Sequence, residues 1–275
     1  MKALVSTFLI FCAGAAHAHP EEGSTTCDAG TMEAAVEAAR KLTDDGERKA
    51  ILGALEKIKA GDTLLGLKWN KIGAAGAAAL AKSLATSKLT HLHLWENKIG
   101  DAGAAALAKA LPRSQLTDLN LSRNKIGDAG AAALAKALPK SQLTELYLWQ
   151  NKIGDAGAAA LAKALLTSKL IKLSLDENKI GDAGAAALAK ALPTSQLTKL
   201  HLERNKIGDA GAAALAKALP TSKLTWLSYG DNNIGGKCGT GSDSPSGAKG
   251  ALCNAWRAKH GDKAKFYSGR TMTVA

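Results

Sequence analysis

An asparagine recurs at a fixed interval of 27 residues through the middle of the chain, and this period constrains the fold more than any other feature. The series is Asn70, Asn97, Asn124, Asn151, Asn178, Asn205 and Asn232. The surrounding unit is nearly verbatim, as in HLHLWENKIGDAGAAALAKALPRSQLT followed by DLNLSRNKIGDAGAAALAKALPKSQLT. A period of roughly 20 to 50 residues is typical of solenoids, in which each unit buries its apolar face on the next. We therefore expect seven stacked strand units over residues 62–232.

Each unit combines a strand pattern with a helix pattern. Leu92 and Leu94 alternate with polar or aromatic residues, which predicts a strand with one buried face. The asparagine that follows can satisfy backbone groups of neighbouring turns and so form a polar ladder. In the next segment we expect Asp101 to cap a helix. One face of that helix is apolar and consists of Ala104, Leu107, Ala108 and Leu111.

The LxxLxLxxN pattern of these units resembles the leucine-rich repeat. Specifically, it resembles the ribonuclease-inhibitor-like subtype, which also occurs in NOD-like receptors. The resemblance covers residues 62–232 and implies an α/β horseshoe, with parallel strands on the concave side and helices outside. Small side chains in the helix, with Gly103, fit such a close packing of helix on sheet.

The remaining segments read as a leader and two caps. Residues 1–18 have the positive start, apolar run and Ala16-His17-Ala18 cleavage pattern of a secretory signal peptide, which predicts a secreted protein. Residues 19–61 are expected to form a helical cap, with helices over 31–42 and 47–59. Residues 233–275 are expected to form the C-terminal cap, with a helix over 248–259 into which Trp256 packs.

Variation among the copies is concentrated at four positions, the sixth, fourth, second and first before each asparagine. The first three face away from the buried leucines and therefore onto the concave sheet. Because the half-exposed helix hardly changes, we interpret this surface as a protein-binding face, although drift after duplication would also vary exposed positions. Its aromatic anchors are predicted to be Trp95, Tyr147 and Trp149. The polar residues predicted around them are His91, His93, Glu96, Arg123, Glu145, Asp176, Glu203 and Arg204.

The formal net charge of +12 does not by itself indicate a nucleic-acid partner. Residues 62–232 contain 22 basic and 13 acidic residues, but the four variable positions hold 5 basic and 7 acidic ones. The excess belongs to framework lysines such as Lys98 and Lys109. We therefore predict no nucleic-acid binding, while a basic convex face that binds an anionic polysaccharide or surface stays open as an alternative.

Catalytic motifs are not found, and we predict neither enzymatic activity nor a cofactor. His91, His93 and Glu96 share a face, but so short a set on a variable surface favours ordinary polar contacts over a metal site. Two further alternatives stay open. One is inhibition of an extracellular enzyme, as the family resemblance implies, and the other is an ice-binding or structural role of a threonine ladder that contains Thr90 and Thr117.

Three cysteines remain beyond the leader. We predict a disulfide between Cys238 and Cys253 in the C-terminal cap, and a free or intermolecular Cys27 at the other end of the stack. Asn120-Leu121-Ser122 is a potential glycosylation sequon on the predicted binding face. No segment is long and apolar enough to predict a membrane span. We expect a secreted monomer that binds a protein, with carbohydrate as a further ligand class.

Overall fold

The computed structural model describes residues 29–238, 245–267 and 270–274. Its strands are β1 (Leu64–Gly66), β2 (His91–His93), β3 (Asp118–Asn120), β4 (Glu145–Tyr147), β5 (Lys172–Ser174), β6 (Lys199–His201), β7 (Trp226–Ser228), β8 (Ala264–Tyr267) and β9 (Thr271–Val274). Its helices are α1 (Ala29–Arg40), α2 (Asp45–Ala60), α3 (Ala74–Leu84), α4 (Gly100–Ala110), α5 (Asp128–Ala137), α6 (Asp155–Leu165), α7 (Asp182–Ala191), α8 (Asp209–Ala218) and α9 (Gly247–His260). Strand and helix alternate through the repeats, which confirms the predicted α/β leucine-rich-repeat solenoid.

The strands form one sheet in the order β1-β2-β3-β4-β5-β6-β7-β9-β8. From β1 to β7 the pairing is parallel and in register with the repeat, so that Leu65, Leu92 and Leu119 are neighbours across the sheet. The hairpin of β8 and β9 then adds to β7 in the antiparallel direction. The sequence patterns do not predict this hairpin, because its two strands lie outside the repeat.

Leucines of the strands and helices form a continuous core between sheet and helices. Leu92, Leu94 and Leu107 are fully buried, as is Ala104 on the predicted apolar helix face. Neighbouring repeats approach so closely that a Cβ built on Gly130 would lie 2.6 Å from Asp101 Oδ1 and 3.1 Å from Asp101 Cα in the preceding repeat. The distance between repeats therefore requires glycine at this position of the helix.

The recurring asparagine forms the predicted polar ladder. In the central copy, Asn151 Oδ1 accepts hydrogen bonds from the backbone N–H of Asn124 at 3.0 Å and of Ile126 at 2.9 Å. Its amide group donates to the carbonyl oxygens of Leu121 and Leu148. One buried side chain thus satisfies backbone groups of two successive repeats, where the loop has no secondary structure to do so.

The repeat aspartate caps a helix, but not the helix that contains it. Asp101 Oδ1 accepts hydrogen bonds from the backbone N–H of Gly127 at 2.7 Å and of Gly130 at 2.9 Å, at the start of α5 in the following repeat. The same contact recurs from Asp128, Asp155 and Asp182 to the next helices. The local reading of Asp101 as the cap of its own helix is therefore wrong, because the stacking distance brings a neighbouring turn within reach.

Helix α4 is the one repeat helix after α3 that cannot receive this cap, since Ala74 stands at the aspartate position of the preceding repeat. Gly100 accordingly has φ +59°, whereas its equivalent Gly127 is extended with φ −102°. In the absence of the aspartate, the N–H groups of Gly100 and Gly103 donate to the carbonyl oxygens of Asn124 and Ile99 at 2.9 and 3.2 Å. Replacing Ala74 with aspartate should exchange these carbonyl acceptors for the carboxylate used in the later repeats and raise the free energy of unfolding by about 0.5 kcal/mol, because charge-assisted hydrogen bonds are stronger than neutral ones. Urea denaturation measures the gain, with Asp128→Ala as the reciprocal variant that loses an existing cap. An unchanged or lower stability of Ala74→Asp would contradict this explanation.

Both ends of the stack carry helices, close to the predicted ranges 31–42, 47–59 and 248–259. At the first end, Glu47 takes the place of the aspartate and accepts from the backbone N–H of Gly73 and Gly76 at 2.7 and 3.0 Å. At the other end, Cys238 and Cys253 form the predicted disulfide, with their Cα atoms 5.4 Å apart. Trp256 is fully buried there, and its Nε1 donates to the carbonyl oxygen of Thr273 at 3.1 Å.

The predicted leader over residues 1–18 and Cys27 lie outside the described residues. The boundaries 19–61, 62–232 and 233–275 between caps and repeats remain predictions. Within the described ranges, none of the helices is long and apolar enough to cross a membrane.

Candidate functional site

The candidate site is the side of the sheet that the helices leave uncovered, which we call the open face. On β2, His91 and His93 point to this side, while Leu92 between them is fully buried. Trp95, Tyr147 and Trp149 are half-buried rather than fully exposed. Their rings therefore lie along the sheet surface and contact neighbouring side chains.

The residues immediately before each ladder asparagine all have left-handed backbone conformations. Their φ angles lie between 51° and 60°, for Trp69, Glu96, Arg123, Gln150, Glu177, Arg204 and Asp231. The backbone N–H of Glu96 still bonds to the carbonyl oxygen of Ser122 at 2.9 Å, so the turn continues the ladder between repeats. A non-glycine residue is uncommon in this region, and the regular hydrogen bonds hold the chain there. The turn sets these variable side chains in a row at the rim of the open face.

The most exposed aromatic side chain of the site is Trp69, of which 61% is accessible. Its ring centroid lies 5.0 Å from that of Trp95, in a tilted arrangement, and the Nζ of Lys68 lies 5.5 Å from the Trp69 centroid. A shallow depression of about 380 Å³ next to it is also lined by Glu96 and Arg123. Trp69 was not among the predicted contact residues, although it occupies a variable position of the first repeat.

Trp149 and Tyr147 continue the row of rings toward the middle of the array. The guanidinium of Arg123 lies 5.6 Å from the Trp149 centroid and also pairs with Glu96 at 2.9 Å. The ammonium of Lys172 lies 4.6 Å from the Tyr147 centroid and donates to its hydroxyl at 2.9 Å. These cation–π and ionic contacts hold the aromatic side chains in place before any partner binds.

The Tyr147 hydroxyl also donates to Glu145. Burial, followed by this hydrogen bond and the charge of Glu145, raises the pKa of Tyr147 above its usual value. The phenol is therefore neutral at physiological pH and remains a hydrogen-bond donor. Glu145 in turn lies 3.8 Å from the Nζ of Lys172.

At the C-terminal end of the open face, the predicted contact residues bind to the protein itself. Arg204 pairs with Glu177 at 2.7 Å and with Asp231 at 3.5 Å, and Thr271 of β9 donates to Glu203 at 3.2 Å. Asp176 accepts from the backbone N–H of Glu203 at 2.9 Å, while burial raises the pKa of its carboxyl. The added hairpin thus occupies part of this surface.

Two histidines of the open face, His93 and His201, have different surroundings. His93 Nε2 lies 3.4 Å from Asp118, whose carboxyl pKa is raised by burial. His201 stacks on Trp226 with 5.9 Å between ring centroids, and burial lowers its pKa to about 4. His201 is therefore neutral at physiological pH. Across the part of the chain that the structure describes, no three metal-ligating side chains converge on one point.

Comparison with protein families identifies the type of repeat. A family model described as Leucine Rich repeat matches six stretches, residues 63–81, 87–108, 115–135, 141–162, 168–189 and 196–216. The matches follow the observed strands and helices of six consecutive units. This part of the chain is a leucine-rich-repeat array. A comparison with curated proteins finds no match.

Three solved structures resemble parts of the leucine-rich-repeat protein at low TM-scores. An internalin from Listeria monocytogenes is 23% identical with TM-score 0.37, and covers 57% of this chain and 45% of its own. The actin-binding site 2 of leiomodin-1 is 18% identical with TM-score 0.30, over 66% and 78% of the two chains. A plant ice-binding protein is 18% identical with TM-score 0.34, over 65% and 67%. The leucine-rich-repeat chain spans less than half the length of the internalin.

The hydroxyl groups of the threonine ladder form hydrogen bonds with the backbone of the preceding repeat. The hydroxyl of Thr90 donates to the carbonyl oxygen of Thr63 at 3.1 Å, and that of Thr117 to Thr90 at 3.2 Å. Thr144 and Thr225 continue the pattern. These hydroxyls therefore satisfy backbone carbonyl groups just before the leucine-rich-repeat strands begin.

Asn120, the sequon residue, accepts from the backbone N–H of Ser122 at 3.0 Å, and its glycosylation stays a prediction.

Proposed function

We propose that this leucine-rich-repeat protein is a secreted, non-catalytic recognition module that binds a protein partner through its open face, which is concave in the repeat subtype it resembles. The observation that carries the proposal is the pair of Trp69 and Trp95, with 5.0 Å between ring centroids, at a rim where the repeat sequence varies. Exposed aromatic side chains of this kind act as anchors in protein interfaces. Leucine-rich-repeat domains typically serve in protein interaction.

The charges around the rings favour the N-terminal half of the open face as the contact area. Arg123 is already oriented by Glu96 and Trp149, so little side-chain entropy is lost when a partner binds. Toward the C-terminal end, Glu203 and Arg204 are engaged with the cap and neighbouring repeats. We therefore assign the binding energy to Trp69, Trp95 and Trp149.

Secretion and the ribonuclease-inhibitor-like subtype belong to the same proposal. The signal-peptide pattern of residues 1–18, the 27-residue repeat and the disulfide between Cys238 and Cys253 support them. N-terminal sequencing of the exported chain tests secretion separately from binding. A first residue of His19 is expected, whereas an exported chain that retains Met1 would contradict the leader.

Aromatic replacement tests the binding surface. The chain is used to recover a partner from native extracellular material, and the affinity for that partner is then measured. The double variant Trp69→Ala and Trp95→Ala should weaken binding by about thirtyfold, equivalent to about 2 kcal/mol. Tyr267→Ala is the matched control, since this aromatic side chain of the cap hairpin is 54% exposed and lies away from the rim. Equal affinity of the double variant and the wild type, with circular dichroism unchanged, would overturn the proposal.

A further inference from the structure

The basic excess of the repeats is concentrated away from the open face. The helices carry Lys82, Lys109, Lys136, Lys163, Lys190 and Lys217. The segments that lead from each helix to the next strand are residues 85–90, 112–117, 139–144, 166–171, 193–198 and 220–225, which we call the return edge. This edge adds Lys88, Arg113, Lys140, Lys169 and Lys223, and it contains no acidic residue. In contrast, each loop that follows a strand from Asn97 to Asn205 has a lysine and also a capping aspartate.

A groove of about 620 Å³ runs along the return edge and is lined by residues of four successive segments. Its lining includes Thr144, Ser168, Lys169, Ile171, Gln196 and Lys223. Ile171 stands at a position where six other repeats have threonine, and 44% of it is exposed. Leu166, which replaces the proline of four other repeats, is 50% exposed close by in the chain. Apolar surface and positive charge therefore meet in one cleft.

The lysines of the groove are paired with amides rather than with carboxylates. Lys169 Nζ donates to Gln142 Oε1 at 2.5 Å, and Lys223 Nζ donates to Gln196 Oε1 at 2.6 Å. Each pair keeps its positive charge and leaves the glutamine NH₂ group as a further donor. Both pairs thus carry a net positive charge and several free N–H donors, which suits a ligand rich in anionic oxygen atoms.

Ser168 supplies a second, independent feature of the groove. Its five counterparts donate their hydroxyls to the carbonyl three residues earlier, at 2.8 to 3.0 Å. Ser168 is 6% exposed, and its Oγ has no hydrogen-bond partner within the described ranges. A buried hydroxyl without a partner is costly, and a group bound in the groove can satisfy it.

The backbone along this edge is already satisfied, which argues against the addition of a peptide strand. The N–H of Ile171 bonds to Thr144 at 2.8 Å, and that of Thr198 bonds to Ile171 at 2.8 Å. Recognition must therefore rely on side chains, whereas strand addition uses main-chain hydrogen bonds. We propose that the return-edge groove binds a linear anionic polysaccharide, with its acidic groups on the Lys169–Gln142 and Lys223–Gln196 pairs and its sugar rings against Ile171.

Binding of the purified full chain to defined polymers tests this proposal. The probes are heparin for sulfate groups, polygalacturonate for carboxylate groups, dextran as a neutral polymer and poly-glutamate as an acidic peptide. In about 0.15 M salt, we expect binding to heparin or polygalacturonate but not to dextran. The double variant Lys169→Gln and Lys223→Gln should lose about tenfold in affinity. Lys152→Gln with Lys179→Gln, on the opposite loops, makes the same change in net charge and should stay within about twofold.

Substitution of Ser168 or Ser195 leaves the net charge of the protein unchanged, so its effect on binding cannot come from overall charge. Ser168→Ala should weaken binding about fivefold without loss of stability, because its hydroxyl has no partner to lose. Ser195→Ala removes the bond to Leu192 and should lower stability while binding is unchanged. Equal losses in the two lysine double variants, or no binding to either anionic polysaccharide, would overturn the proposal. Binding of poly-glutamate as tight as that of the polysaccharides would instead assign the groove to an acidic protein and overturn the ligand class.

Discussion

Replacing Asn151 with alanine is expected to lower the free energy of unfolding by about 4 kcal/mol. The variant leaves the buried backbone N–H groups of Asn124 and Ile126 without an acceptor, and it removes donors to Leu121 and Leu148. A buried group that loses its partner costs about 1 to 3 kcal/mol, so two orphaned N–H groups account for most of the effect. Because each repeat is stabilised mainly by its neighbours, we also expect a broader unfolding transition.

Asn70→Ala is the matched control for this prediction. Asn70 starts the ladder and is half-buried, and the side-chain hydrogen bond found for it is the donation from its amide to Lys68 at 2.8 Å. Its loss should cost less than about 1 kcal/mol. Urea denaturation followed by circular dichroism compares the two variants. Similar losses for both would mean that the asparagine side chains act locally rather than by connecting repeats.

The stability of the protein should fall as the pH is lowered from about 6.5 to about 4, with His201 as a major cause. Burial lowers the pKa of His201 to about 4, whereas the unfolded chain has a histidine pKa of about 6.5. Between these values the unfolded state binds the proton and the folded state does not, so protonation favours unfolding. The stability that is present above pH 6.5 is thus lost toward pH 4. The difference in pKa corresponds to about 3 kcal/mol.

His201→Gln separates this contribution from those of other groups. The drop in stability between pH 7 and pH 4 should be smaller in the variant by about 3 kcal/mol, as measured by urea denaturation at each pH. Burial raises the pKa of Asp118 and Asp176, whose protonation at low pH acts in the opposite direction and is common to both proteins. Nuclear magnetic resonance titration of the His201 ring gives a direct check. A pKa near 6.5 in the folded protein would refute the explanation.

Local sequence patterns predicted the units of the fold and the asparagine ladder that joins them, but not the other contacts between units. The alternation of Leu92 and Leu94 and the apolar face with Leu107 correctly indicate a strand and a helix, because both periods are local. Asp101 was misread, since its acceptor role depends on a helix that follows 27 residues later. The C-terminal hairpin was missed because β9 is specified by its pairing with β7 rather than by a repeated pattern.

For the candidate site, the positions of variation indicated which side chains share the open face. They could not indicate which of those side chains remain available. Glu203 and Arg204 are charged residues on a variable face, yet the hairpin and neighbouring repeats engage them. Trp69, in contrast, was not predicted as a contact residue but remains available. The left-handed turn after β1 exposes its side chain and brings it into contact with Trp95.

The period of 27 residues therefore determined the repeat architecture, because a unit with one apolar strand face and one apolar helix face buries both only by stacking on copies of itself. The repeat pattern did not predict how the two edges of the stack differ. Each edge depends on where side chains from successive repeats meet: aspartates bind helix ends on the loop side, and lysines pair with glutamines on the return edge. The tertiary structure decided these contacts, because they join residues 26 to 29 positions apart that only stacking brings within hydrogen-bonding distance.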